Sequence, residues 1–239
     1  MRKKLSKRYK KLLDKTEVNK IETLEEAIKK IKKNCTTKFD ESIDVSLNLN
    51  LKQKKEEVNL RTVVNLPNGN GKKIKLAVLC EESKIKEAKD SGAELVGSDK
   101  LITDITNGKI NFDKLISTPN MMPEVGKLGK ILGPKGLMPN PKLGTVTTDI
   151  KKTVKALKDG QIEIKNDKDG NIAASIGKKS FPDSKIIENF NAFIQTILKE
   201  KPNGIKGDFI LSSFITSTMG ISFKLKLNIW WIKIKRSTT

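Results

Sequence analysis

The chain contains no histidine and only two cysteines, and both scarcities exclude classes of functional site. Cys and His supply the ligands of most zinc sites, so two cysteines without a C-x-x-C spacing are too few. The absence of histidine also excludes acid–base catalysis by an imidazole group. Cys35 and Cys80 lie far apart in the sequence and are typical of free, buried thiols in a reducing compartment.

Aromatic residues and long apolar runs are scarce as well. Aromatic side chains make up 5% of the residues, which disfavours an aromatic platform for base stacking as the main mode of RNA binding. No apolar run approaches the roughly 20 residues of a membrane span. The basic residues 1–15 are not followed by the apolar segment of a secretory signal. We therefore expect a soluble protein without a membrane partner that stays where it is made.

Catalytic constellations are missing too. The serines have no histidine to activate them, and no G-x-S-x-G segment is present. Asp40, Glu41 and Asp44 cluster at the start of a predicted strand. Because Lys38 is adjacent, they indicate a solvated edge or a salt-bridge network rather than a catalytic pair of carboxylates. We expect no enzyme activity and no cofactor.

Positive charge is abundant. The 239 residues include 48 Lys and Arg but only 28 Asp and Glu, a net charge of +20. Such an excess repels itself unless a polyanion neutralises it, and nucleic acid is the commonest polyanionic partner. A generally Lys-rich proteome is the alternative explanation. The excess is spread along the chain, so charge alone does not locate a binding site.

Apolar positions follow one pattern in both terminal parts of the chain. Thr23 as N-cap and Glu26 three residues later predict the start of a helix. Alternation of apolar and polar residues predicts half-buried strands over 43–51, 60–66, 161–165, 171–176 and 209–216, and helical periodicity predicts a long helix over 184–199. The turn-forming residues 167–170 between two of these strands predict a β-hairpin.

The middle of the chain has a different pattern. Residues 67–71, with the sequence PNGNG, form a strong turn signal, and the continuous apolar run 74–80 is typical of a strand covered on both faces. Short strands are expected over 94–96 and 115–118, and helices over 81–91, 101–105 and 148–158. This alternation predicts parallel βαβ units. We therefore expect an α+β terminal domain with an antiparallel sheet, formed by residues 1–66 and 161–239, and an α/β domain inserted at 67–160 and joined by a hinge.

Residues 121–147 carry the densest signal, because glycines, prolines and lysines alternate there. Freed backbone N–H groups beside lysines can bind phosphates. The spacing, however, matches neither a Walker-type loop nor a G-x-G-x-x-G loop, and Pro134 removes a backbone donor. The run predicts a rigid, basic surface loop that either touches RNA or is merely structural.

This run, GKLGKILGPKGLMPNPKLGTVT, closely resembles the signature of the ribosomal protein L-one family, of the bacterial or organellar type. Five other segments resemble the same family: TKFDES (37–42), LPNG (66–69), STPNMMP (117–123), SIGK (175–178) and STMG (217–220). The resemblance therefore covers about residues 1–225. It implies a first domain built from both chain ends that holds the main ribosomal RNA site, and a Rossmann-like insert. The RNA contacts it implies are Lys38, Phe39, Gly177, Lys178, Ser212, Thr218, Met219 and Gly220.

The resemblance also implies a function. Members of the family are structural constituents of the large ribosomal subunit, where they bind ribosomal RNA at the mobile stalk near the tRNA exit site. The implied roles are assistance in the release of deacylated tRNA and repression of translation of the protein's own messenger RNA. The implied partners are therefore ribosomal RNA, transient exit-site tRNA and this messenger. The protein would be a monomer within a cytoplasmic or organellar ribosome.

The sequence departs from the family at a few positions. Leu211 stands where family members commonly carry Arg, Ile221 stands where a Pro is common, and Thr62 follows Arg61 where a Gly is common. Residues 225–239 match nothing in the family, and Trp230-Trp231 could dock on RNA or on a neighbouring protein. Two alternatives stay open: a nucleotide-using enzyme on the inserted domain, and a basic protein anchored to a membrane surface by the tail.

Overall fold

A computed structural model describes residues 5–14, 16, 20–51, 60–202, 205 and 207–226, apart from the side chain of Asp99. The chain forms two compact units. The first unit contains Met1–Gly71 and Ile162–Thr239, and the second contains Lys72–Gln161. The first unit is therefore assembled from both ends of the chain, whereas the second is one continuous segment.

The elements follow the apolar patterns closely. The first part of the chain contains α1 (Lys7–Asp14), β1 (Ile21–Glu22), α2 (Leu24–Asn34), β2 (Ser42–Leu49) and β3 (Arg61–Asn65). The second unit contains β4 (Leu76–Leu79), α3 (Ile85–Asp90), β5 (Leu95–Gly97), α4 (Asp99–Thr106), β6 (Lys114–Ser117), α5 (Met122–Lys127), α6 (Gly129–Leu132) and α7 (Ile150–Lys158). The last part contains β7 (Gln161–Lys165), β8 (Asn171–Lys178), α8 (Asp183–Lys199), β9 (Ile210–Ser217) and β10 (Phe223–Leu225). Short 3-10 helices cover Glu82–Lys84, Pro119–Met121 and Pro141–Leu143.

The first unit is built on a five-stranded sheet with the order β1-β10-β9-β2-β8. Its central part is antiparallel, because β2 pairs antiparallel with both β8 and β9. Residues of β2 alternate between buried and half-buried positions. The buried residues pack against α2 and α8 in one apolar core, so the opposite face of the sheet carries the polar residues. The side chain of Thr23 accepts a hydrogen bond from the Glu26 N–H at 3.5 Å, which confirms the predicted start of α2.

The second unit contains a three-stranded parallel sheet with the order β5-β4-β6. Every residue of β4 is buried. Ala77 and Leu79 pack into one apolar cluster, and Leu76 and Val78 pack into another. The sheet is therefore covered on both faces, as the continuous apolar run predicted. No helix in the described part of the chain is long and apolar enough to cross a membrane.

Two predictions about local structure were wrong. Residues 167–170 do form a turn, in which Gly170 N–H donates to the Asp167 carbonyl at 3.2 Å. The flanking strands do not pair with each other, however, because β7 joins β3 in a separate two-stranded sheet while β8 joins β2. The run 121–147 is not a simple loop either. It contains α5, α6 and the 3-10 helix Pro141–Leu143, and apolar side chains such as Val125, Leu128 and Leu132 pack in the core of the second unit. The predicted roles of residues 227–239, including both tryptophans, lie outside the described residues.

Candidate nucleic-acid interface

The predicted contact positions converge at one end of the five-stranded sheet, with one exception. Ser42 at the start of β2 pairs with Lys178 at the end of β8. The next residue of β2, Ile43, pairs with Ser217 at the end of β9. Because both neighbours run antiparallel to β2, the segment before β2, the end of β8 and the segment after β9 meet at the same edge. We call this place the sheet end; it contains all of the predicted contact positions except Ser212.

Ser212 lies farther along the sheet. It pairs with Asn48, six positions from Ser42 and therefore about 20 Å from the sheet end. Its neighbour Ser213 is buried, so Ser212 faces away from the core. The structure thus does not bring Ser212 next to the other predicted residues, although it places Ser212 on the open face of the same sheet.

The open face of the sheet connects these two places. Its residues are mostly small and polar, and the structure places Ser42, Asp44, Ser46, Asn48, Asn171, Ala173, Ser175, Lys178, Ser212, Phe214 and Thr216 on it. We call this the outer face. Hydroxyl and amide groups on such a flat surface can donate to and accept from 2′-hydroxyls in the wide, shallow minor groove of RNA.

Two apolar side chains at the sheet end are exposed. Phe39 exposes 53% of its surface and Met219 exposes 48%. Neither residue therefore belongs to the core, which is the usual place for a lone Phe or Met. Large apolar side chains exposed in an otherwise polar surface are suited to contact with a sugar or a base. Lys38, beside Phe39, is exposed as well.

Glu41 connects the segments of the sheet end. The hydroxyl of Thr37 donates to Glu41 Oε1 at 2.7 Å, and the N–H of Met219 donates to Oε2 at 3.2 Å. The backbone carbonyl of Glu41 accepts from the Lys179 N–H at 2.8 Å. One residue therefore contacts all three segments that carry predicted contacts.

The carboxyl group of Glu41 is fully buried. Burial alone would raise its pKa, because a low-dielectric environment disfavours the charged form. Hydrogen bonds to the carboxylate, from the Thr37 hydroxyl first and also from the Met219 N–H, outweigh this effect, so the pKa of Glu41 is lowered from its ordinary value. The expectation of a solvated acidic edge is wrong for this residue. Sequence reasoning gave Glu41 no role, although its place within the TKFDES motif was a usable signal.

Asp40 and Lys179 form further hydrogen bonds between the segment before β2 and the end of β8. The two carboxylate oxygens of Asp40 accept from the backbone N–H and the hydroxyl of Ser180 at 3.1 and 2.7 Å. The Lys179 ammonium donates to the Cys35 carbonyl at 3.0 Å. The end of β8 is therefore fixed to the segment that precedes β2.

At both glycines of the sheet end, an added side chain would contact other atoms of the protein too closely. A Cβ atom at Gly177 would lie 3.2 Å from the Phe181 ring, and one at Gly220 would overlap the Ser217 hydroxyl. Close approach to RNA is therefore not needed to explain either glycine. The Thr218 hydroxyl is also engaged within the protein, since it accepts from the Ser42 N–H at 3.0 Å. It keeps capacity to accept one more hydrogen bond.

Arg8 of α1 adds a basic group to this place. Its guanidinium donates to the Met219 carbonyl and, at 3.3 Å, to the Thr36 hydroxyl. Arginine has five donors in a fork, so two such bonds leave donors for a phosphate. The sequence gave no signal for Arg8, because it is one of many basic residues near the amino terminus.

The basic run 121–147 belongs to the second unit, whereas the sheet end belongs to the first. The side chains of Lys127, Lys130, Lys135 and Lys142 are exposed. The loop after β4, where a nucleotide phosphate would be expected, carries Glu81 and Glu82 rather than glycine. Within the described residues, no group of three or more Cys, Asp or Glu side chains is arranged to hold a metal ion.

Comparison with known proteins gives consistent matches. A sequence model of the Ribosomal protein L1p/L10e family matches residues 31–221. The chain is 60% identical over 223 residues to the large ribosomal subunit protein uL1 of Pelagibacter ubique, covering 93% of this chain and 97% of the relative. It is 46% identical over 227 residues to uL1c of Phaeodactylum tricornutum, covering 95% and 99% of the two chains. With uL1 of Rickettsia akari it shares 43% identity over 221 residues, 92% of each chain.

Proposed function

Because this chain belongs to the Ribosomal protein L1p/L10e family, we propose that it is a structural constituent of the large ribosomal subunit that binds ribosomal RNA at the sheet end. The observation that supports this most directly is the arrangement around Glu41. Three segments distant in sequence meet there and leave Phe39 and Met219 exposed on a basic, polar surface. The three relatives described above are named as proteins of the large ribosomal subunit.

Each contact has a physical basis. Lys38, Lys178 and Arg8 carry the positive charge that meets phosphates. Phe39 and Met219 supply apolar contact with sugar or base. The outer face, including Ser212, supplies hydroxyl and amide groups over a length of about 20 Å. These groups can contact several successive nucleotides along the minor groove of an RNA helix. Recognition is then governed by the fit of a structured RNA to this surface, and charge strengthens it.

The finer parts of the proposal follow from membership of the family. The RNA is the mobile stalk near the tRNA exit site, and the protein assists release of deacylated tRNA and represses translation of its own messenger. The proposal includes a Rossmann-like insert, and the parallel sheet of the second unit, which packs apolar clusters on both faces, supports it. The two chain crossings between the units form a hinge. Solution scattering of the free and RNA-bound protein tests the hinge, and one unchanged interdomain arrangement would contradict it.

A nucleotide-using enzyme on the second unit is disfavoured by Glu81 and Glu82. Two carboxylates at the first strand-to-helix connection repel the phosphates that this fold binds there. We expect no shift in thermal stability of the protein when nucleotides are added. A nucleotide-dependent rise in the melting temperature would revive this alternative.

The substitution Met219→Ala tests RNA binding at the sheet end. Met219 is half-exposed, so its truncation should leave the fold intact while weakening affinity for stalk RNA about tenfold, the loss of one well-placed apolar contact. Filter binding or fluorescence anisotropy measures both stalk RNA and an unrelated duplex of equal length. The unrelated duplex should bind as before.

Ile21→Ala is the matched control, because Ile21 is an equally exposed apolar residue on β1, at the other edge of the sheet. It should not change the affinity for stalk RNA. Equal losses for Met219→Ala on both RNAs would indicate nonspecific electrostatic binding, and equal losses for the two variants would show that Met219 has no special part in the site.

A further inference from the structure

Glu41 differs from Glu22, a second buried carboxylate of the first unit, in what neutralises it. Glu22, which exposes 2% of its surface, forms an ion pair with the Lys30 ammonium. Glu41 is held by hydrogen bonds from Thr37 and Met219. Leaving a buried carboxylate without its donors costs several kcal/mol, on the order of 3–5, so the fold is most stable when these donors stay close to it. Its charge therefore fixes the positions of the groups around it.

The groups fixed in this way come from distant parts of the sequence. Met219 lies 178 residues from Glu41 along the chain. Thr37 immediately precedes Lys38, and its hydroxyl also lies 3.2 Å from the Phe39 carbonyl. The carboxylate thus connects the segment carrying Phe39 with the segment carrying Met219, whereas its own side chain is inaccessible to a partner.

We infer that Glu41 is a positioning residue for RNA recognition: without touching RNA, its carboxylate holds the segments of Phe39 and Met219 in one arrangement before RNA binds. The inference rests on the proposed function of the sheet end. Binding to a surface that is already arranged avoids the entropic cost of ordering two segments during association. If the arrangement were only partly populated, the observed affinity would fall by the same fraction.

Glu41→Gln tests this inference in the full-length protein. Glutamine keeps the shape of the side chain but replaces one accepting oxygen with an NH2 donor. The amide oxygen can still accept from the Met219 N–H, but the NH2 group then faces the Thr37 hydroxyl, which no longer donates to this side chain. The connection between the two segments therefore loses the negative charge that strengthened it. We expect affinity for stalk RNA to fall about tenfold or more, with faster dissociation, because hydrogen bonds to charged groups are the stronger ones. Affinity for an unrelated duplex should be unchanged.

Glu22→Gln is the matched control for a merely structural effect. It neutralises a carboxylate that is equally buried in the same unit but lies on β1, away from the sheet end. Glu22→Gln should lower the melting temperature without changing the ratio of affinities for stalk RNA and unrelated duplex. If both variants lowered this ratio equally, Glu41 would contribute only to stability and the inference would be overturned.

Thr37→Val provides a second test that does not depend on how well Glu41→Gln folds. Valine has nearly the shape of threonine and removes only the hydroxyl that donates to Glu41. It should weaken stalk RNA binding by a smaller factor. In the double variant, the losses should be less than multiplicative, because both changes remove the same connection. Multiplicative losses, or no loss with Thr37→Val, would contradict the inference.

The outcomes distinguish the two levels of the proposal. If the unsubstituted protein bound stalk RNA no better than unrelated RNA, the proposed function itself would be wrong. If it bound specifically and Glu41→Gln bound equally well, the proposed function would stand and only the positioning role of Glu41 would be rejected.

Discussion

Three acidic residues within five positions of one another have different surroundings at the start of β2. Asp40 is exposed and hydrogen-bonded to Ser180, whereas Glu41 is fully buried. Asp44 lies on the outer face, where burial raises the pKa of its carboxyl and a hydrogen bond from Ser175 only partly offsets the rise. These three residues are close together in the sequence and look like one acidic cluster. In the structure, however, each carboxyl group lies in a different environment, because successive residues of an extended chain point to opposite sides.

The lowered pKa of Glu41 predicts a pH dependence of stability. A carboxyl whose pKa is lower in the folded than in the unfolded state stabilises the fold above its unfolded value, near 4.5. This contribution is lost as the pH falls through the folded-state pKa. The free energy of unfolding of the unsubstituted protein should therefore exceed that of Glu41→Gln at pH 7, and the difference should shrink below about pH 4.5. Denaturant titrations from pH 3 to 7 measure it. A difference independent of pH would show that charge at Glu41 is unimportant.

Gly220→Ala should destabilise the sheet end. The added Cβ overlaps the buried Ser217 hydroxyl, which must rotate or displace the 218–220 segment, at a cost of about 1–3 kcal/mol. Thermal or denaturant unfolding measures the loss. In the double variant Ser217→Ala/Gly220→Ala the overlapping oxygen is gone, so most of the stability should return. Failure to recover would mean that Gly220 is required for a reason other than this overlap.

Single elements were predicted well where a pattern repeats over many residues. The long helix and the central strand were placed within one or two residues of α8 and β2, because their periodic apolar positions face one core. Pairing partners were not predictable in the same way. The turn at 167–170 has hairpin chemistry, but β3 and β2 compete for β7 and β8 and determine the outcome. Strand pairing depends on tertiary packing that a local sequence does not contain.

The candidate site was only partly predictable for a related reason. The resemblance supplied Phe39 and Met219, and their exposure is a property of this chain that the structure adds. Arg8 and Glu41 were missed, because their importance depends on hydrogen bonds to residues about 180 to 210 positions away. For the run 121–147, the sequence predicted a continuous surface loop that the structure does not contain. Its glycines suggested a loop, although several of them lie in or beside short helices.

Gly126→Ala tests whether the glycine of α5 is needed for folding. A Cβ at Gly126 would meet nothing within 4 Å, and its φ is not positive. Alanine favours a helix over glycine, so the free energy of unfolding should rise by up to about 1 kcal/mol. Binding of stalk RNA should be unchanged, because α5 lies in the second unit. Weaker RNA binding with unchanged stability would show that the run touches RNA.

At the scale of the whole molecule, the net charge of +20 governs how RNA binding responds to salt. Contacts between lysines and phosphates release counterions, so affinity for any RNA should fall steeply as salt rises from about 50 to 200 mM. The contacts proposed for Phe39, Met219 and the hydroxyl groups of the outer face are not ionic, and they discriminate between RNA folds. The ratio of affinities for stalk RNA and an unrelated duplex should therefore persist or grow over the series, measured by anisotropy. A ratio that fell towards one would show that charge alone determines binding.

The position of β2 between β8 and β9 has a consequence for the nascent chain. A ribosome completes β2 long before it synthesises either neighbouring strand, and the whole second unit emerges in between. The second unit, being continuous, can acquire its structure during elongation, whereas the amino-terminal segment must wait for β8 and β9, which follow the second unit in the chain. A ribosome that stalls within α8 would thus carry an exposed, unpaired strand edge, which makes truncated translation products of this protein prone to aggregation.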